Sequence, residues 1–143
     1  MVATGEIRKR VLRAIEESRH AAVTRRARAE EAERDGTTVL TDVITPLFKT
    51  VSAALKAEGY GFRVVTPPGS VRLASEVSSE DFIEVTLDTL RDPPALVGRV
   101  SRTWGRRVLV DELVVREASA IRTLTGDDAL EFVLGQLGPF VER

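Results

Sequence analysis

The feature that most limits how this chain can fold is a change of hydrophobic period at Gly59. Before it, apolar residues recur every three or four positions, as on one side of a helix. After it the period changes toward two, as in strands, most clearly over residues 82–90. Both periods in 143 residues call for helices laid on an antiparallel sheet.

The helical part divides in two. Leu40, Val43, Ile44, Leu47, Phe48, Val51 and Leu55 share one stripe of a helix expected over residues 42–58. Gly59, free to take a left-handed backbone, stops it. Thr41 or Asp42 caps its start, or Thr45 does so with Pro46 in the first turn. Ahead of it, residues 6–34 have no Gly or Pro and are rich in Ala, Arg and Glu, which predicts one long helix. Its apolar stripe is thin: Ile7, Val11, Ala14, Ile15, Ser18 and Ala22. Asp35-Gly36 is expected to break it, giving a helical arm over 1–36 and an α+β domain over 37–143.

A nearly all-polar helix is first of all a solvated arm, and next a dimerisation helix. The heptad positions of Ile7 and Ala14 run on into Ala21 and Arg28, which argues against a strong coiled coil. Nucleic-acid binding through Arg25, Arg26 and Arg28 is weakened by Glu30, Glu31 and Glu33 beside them.

The alternating part predicts strands over 60–66, 70–77, 82–90, 95–104 and 107–116. Thr66-Pro67-Pro68-Gly69-Ser70 suits a type II turn, and Gly105-Arg106 makes a tight connection. A last helix starts at Thr125, with Asp128 completing a capping box and Leu130, Val133, Leu134, Leu137 and Val141 as its stripe. The fold class is α+β: long N-terminal helix, second amphipathic helix, five-stranded antiparallel meander, C-terminal helix.

This sheet reads as apolar on both sides. Ile83, Val85, Leu96, Val100 and Trp104 take one side; Val65, Ala74, Phe82, Leu90, Val97 and Leu109 take the other by alternation. One helix layer would leave the second set wet. Val65, Phe82, Leu90, Val97 and Leu109 are therefore the expected interface of a homodimer.

Composition removes much chemistry. The absence of Cys excludes thiolate nucleophiles, disulfides and cysteine metal sites, and a single His20 cannot build an imidazole cluster. Neither a metal nor a cofactor is expected. Glu16 precedes His20 by four residues, which makes a solvated pair. The carboxylate pairs Glu80-Asp81, Asp111-Glu112 and Asp127-Asp128 read as structural, because neighbours on a strand point to opposite faces and carboxylates suit a first helical turn. Gly59-Tyr60-Gly61 follows a helix and lacks the third glycine of a phosphate loop. No apolar run approaches the ~20 residues of a membrane helix, and the start lacks a signal-peptide pattern, so a cytoplasmic protein is expected.

One constellation is suggestive. Arg99, Arg102, Trp104, Arg106 and Arg107 put arginines beside an aromatic, as single-strand readers do. Overall, 21 basic residues face 22 acidic ones, so no bulk attraction to nucleic acid follows. Arg99 and Arg102, three apart, face opposite sides of a strand, and Trp104 reads first as core or interface. The sequence thus points to a non-enzymatic interaction protein, adaptor or chaperone-like, whose expected partner is a second copy. Nucleic-acid binding by the Arg/Trp hairpin ranks behind it. A ligand binder or enzyme with a pocket near Tyr60, Arg102 and Trp104 ranks third.

Overall fold

The alternating stretches become five strands of one antiparallel sheet in chain order, β1 (Phe62–Val65), β2 (Ser70–Ser75), β3 (Phe82–Asp88), β4 (Ala95–Trp104) and β5 (Arg107–Glu117). The computed structural model describes residues 1–142. Pro67 accepts a bond from Ser70, and Gly69 takes a φ of 72°, the geometry expected of that turn. Cross-strand neighbours share a face, so Val64, Leu73, Ile83 and Val100 form one row, and Val71, Val85 and Gly98 the next.

The helical part is continuous where two helices were expected. The first, α1 (Thr4–Val39), passes through Asp35-Gly36, enters a π-helical turn (Leu40–Ile44) and leaves it as α2 (Thr45–Ala57). Gly36 is no breaker. A Cβ there would lie 2.7 Å from Cδ1 of Leu87, so the glycine lets the helix lie against β3. The residues that resembled a helix start serve the π turn instead. The Leu40 carbonyl accepts both the N–H and, at 2.7 Å, the hydroxyl of Thr45, while Pro46 has no N–H to offer the turn before it.

That turn has a packing purpose. The buried stripe of α1 is Ala32, Gly36 and Val39; that of α2 is Phe48, Val51 and Leu55. At roughly 100° per residue, a regular helix would set the two stripes about 100° apart. The π turn absorbs one extra residue and brings both onto the sheet. By length and composition the helix Thr4–Ala57 contains a stretch that passes for a membrane span. Its apolar residues Leu40, Ile44, Phe48, Val51 and Leu55 are nonetheless buried in the core.

Gly59 ends α2 with a φ of 90°. Its N–H reaches the Lys56 carbonyl at 3.0 Å, and the Tyr60 N–H reaches that of Leu55 at 2.9 Å. After β5, a 3-10 turn (Ala118–Thr123) leads to α3 (Gly126–Val141). Its expected capping box is present: Thr125 N–H to Asp128 Oδ2 at 3.0 Å, and Asp128 N–H to Thr125 Oγ1 at 3.2 Å.

One core joins these elements. Ile44, Phe48 and Leu55 from the long helix and Val133 and Phe140 from α3 meet Phe62, Val71, Leu73, Ile83, Val85, Leu96 and Val100, which all lie on one face of the sheet. Phe62 and Phe140 meet edge to face, centroids 6.0 Å apart. Where α3 crosses β4, a Cβ on Gly98 would fall 2.6 Å from the Phe132 ring.

Two glycine replacements should therefore differ in sign. Gly98→Ala overpacks the Phe132 contact and should cost about 1–3 kcal/mol in urea unfolding. Gly135→Ala, on the exposed side of α3 with nothing near its added Cβ, should gain about 0.5–1 kcal/mol.

Candidate interaction surface

The opposite face of the sheet is built differently. Alternation puts Arg72, Glu84, Arg99 and Glu112 in one row across β2, β3, β4 and β5, with signs alternating. Glu84 is only 4% exposed and accepts a hydrogen bond from Arg72 Nε. The Arg72 guanidinium also lies 3.9 Å from the centre of the Phe82 ring, covering it. The next row holds Ala74, Phe82, Ser101 and Val110. Within this single chain, Ala74, Phe82 and Val97 are thus already buried.

This bears on the residues expected at an interface. Val65 is 37% exposed, whereas Phe82 and Val97 are buried. Leu90 lies beyond the end of β3 and is 97% exposed, next to Arg25, Arg26 and Ala29 of α1. Leu109 pairs with Arg102, so it sits on the helix-bearing face rather than the opposite one. A two-residue turn pairs odd positions of β4 with even positions of β5, so parity does not carry across it.

The surface that sequence reasoning undervalued is β5 as a whole. It is an edge strand with β4 as its one neighbour in the sheet. Val108, Val110 and Val114 on one face, and Leu109 and Leu113 on the other, are 37 to 50% exposed. Long apolar edge strands are ready templates for another strand, and Asp111 and Glu112 interrupt this one. Its far end is anchored. Arg116 meets Asp128 at 3.1 Å, and Val115 is a bulge opposite Leu96 and Val97. The Thr125 backbone N–H, then the Thr125 side chain, with Arg116 adding to them, holds the Asp128 carboxyl below its ordinary value. That contribution is present above the unfolded carboxylate range and is lost as pH falls through the depressed folded value.

The Arg/Trp constellation is brought together only in part. Arg102, Trp104, Arg106 and Arg107 gather at the end of the β4–β5 hairpin, the Arg102 guanidinium 5.7 Å from the Trp104 ring centre. Trp104 is 63% exposed, so of the two places expected for it, core or interface, the core is excluded. Arg99 lies on the other face, between Glu84 and Glu112.

Other candidates fall into structural places. Asp81 Oδ1 accepts the Thr103 N–H at 2.7 Å, which ties the start of β3 to β4. Asp111 and Glu112 face opposite sides, beside Val100 and Arg99. His20 lies on a stretch, residues 1–21, that is exposed at every position. Tyr60 donates to the Val141 carbonyl at 3.1 Å and lines a cleft of about 200 Å³ with Gly61, Ser75 and Asp81, away from Arg102 and Trp104. Among the described residues, no group of three His, Asp or Glu could hold a metal ion.

Loss of Arg72 should expose how the second face is held. Arg72→Ala strips the partner of a buried carboxylate and the cover of Phe82, and should cost about 1–3 kcal/mol in urea unfolding. Arg72→Lys should recover less than half, because an ammonium cannot both stack and bond as the planar group does. Compared with protein-family models, with curated proteins and with solved structures, the chain matches none.

Proposed function

We propose that this chain is a non-enzymatic interaction protein that works as a homodimer, in an adaptor or chaperone-like role. The observation that carries the reading is β5, a strand of 11 residues at the sheet edge with exposed apolar side chains on both faces. The arm adds to it. Ile7, Val11, Leu12, Ile15 and Val23 are each more than 40% exposed along a helix that leaves the core near Ala32. Surfaces of this kind suit contact with another chain better than they suit chemistry.

Sedimentation equilibrium at micromolar concentration tests it. The expected mass is twice the 15.7 kDa of the chain, and a mass of one chain would overturn the homodimer.

A second reading draws on the exposed Trp104 with Arg102 beside it and Arg106 and Arg107 at the hairpin end. Such a cluster suits a stacked base of single-stranded nucleic acid. The chain has one Trp, so its fluorescence reports on that position alone. If the reading holds, titration with a short RNA quenches Trp104, and the effect weakens steeply with salt. Unchanged emission at low salt would remove it.

A further inference from the structure

The homodimer reading can be carried to a register, and the inference rests on that reading. We infer that two copies join edge to edge through β5, antiparallel, with Leu109 facing Leu109 of the other copy on the two-fold axis.

A symmetric antiparallel pair leaves one choice, the residue at its centre, and that choice fixes every facing pair. With Leu109 at the centre, Val108 faces Val110 of the other copy, twice, on one side of the joined sheet. On the other side, Arg107 faces Asp111 of the other copy, also twice, flanking the two leucines. Every facing pair is then apolar with apolar or cation with carboxylate. Moving the centre loses this. Val110 at the centre sets Leu109 against Asp111 and Val108 against Glu112. Asp111 or Glu112 at the centre faces its own copy. Leu113 sets Glu112 against Val114, and Val114 sets Asp111 against Glu117.

Backbone direction agrees. The two-residue turn makes Trp104 and Arg107 a hydrogen-bonded pair, so Arg107, Leu109 and Asp111 bond to β4. Val108 and Val110 then aim their N–H and C=O groups at the open edge, where two such pairs bond each other. Access agrees as well. Leu113 to Arg116 line a cleft against α3, whereas Arg107 to Asp111 line none of it. The segment that the register uses is the one that the helix leaves clear. Asp111, which guards the edge against indiscriminate pairing, becomes the group that selects this one.

The test uses the full chain, which has no cysteine of its own. At the axis, side chains face at about 4.5–5.5 Å between Cβ atoms, within reach of a disulfide after small adjustment. Under mild oxidation, Leu109→Cys should give a covalent dimer on a non-reducing gel, and Val114→Cys only a trace. Arg107→Asp should weaken association about tenfold or more, as two attractive contacts become repulsive, and adding Asp111→Arg should restore it. Both positions are exposed, and circular dichroism checks that each variant is folded. A wild-type dimer in which Leu109→Cys stays uncoupled and the charge swap does nothing overturns the register and leaves the homodimer standing. A wild-type monomer overturns both.

Discussion

The structure depends on laying one side of a long helix along one side of a sheet. Ile44 and Phe48, fully buried, press against a face made by Leu73, Ile83 and Val85, which are as deeply enclosed. A helix follows that face only if its apolar stripe does not wander around its axis. The widened turn between Val39 and Thr45 meets this need, joining two stretches whose stripes are out of phase by one residue. Placing α3 across β4 depends in turn on Gly98, because the Phe132 ring occupies the space a side chain would need.

The rest of the surface follows from where this cover ends. The helices protect one face as far as Val115, and Arg72 protects the Phe82 ring on the other. Neither device reaches the hairpin half of the outer strand, Arg107 to Asp111. Its valines and leucines remain partly in water on both sides, interrupted by two adjacent carboxylates that point opposite ways. An ion pair with one buried member, as Glu84 is with Arg72, contributes little net stability in general, yet removing the cation leaves the carboxylate buried and unpaired, which is costly. On this face it lets a sheet be close-packed without a second layer.

Strand order and face assignments within each strand were legible because alternation leaves only one way to bury Ile83, Val85, Leu96 and Val100 together, while the first three strands end earlier than expected, which puts Leu90 outside β3. The last helix was legible because Thr125 and Asp128 satisfy each other's backbone groups locally. What misled was local chemistry with two meanings. Asp35-Gly36 reads as a stop, yet here the glycine serves a contact with Leu87 far along the chain. Thr45-Pro46 reads as a start, yet here the hydroxyl closes a wide turn. The exposure of β5 was hidden for a different reason. Its own pattern, apolar on both faces except for Asp111 and Glu112, suits a strand covered on both sides, and only the reach of elements elsewhere decides how little of it is covered. Parity across the Gly105-Arg106 turn misplaced Leu109 by the same logic, since the turn length and not the strand sets which side it takes.

The arm gives the molecule a lever. Residues 4–21 touch nothing else in the chain closely enough to be covered, yet they belong to a helix whose other end is clamped in the core. At 1.5 Å per residue that is an exposed rod of about 27 Å. A tilt of about 10° near Ala32, where the helix leaves the core, would swing its Thr4 end, about 42 Å away, by about 7 Å. Small adjustments around Gly36 and Leu87 are in this way magnified at Ile7, and a grip on the tip would be felt, with mechanical advantage, at the heart of the fold.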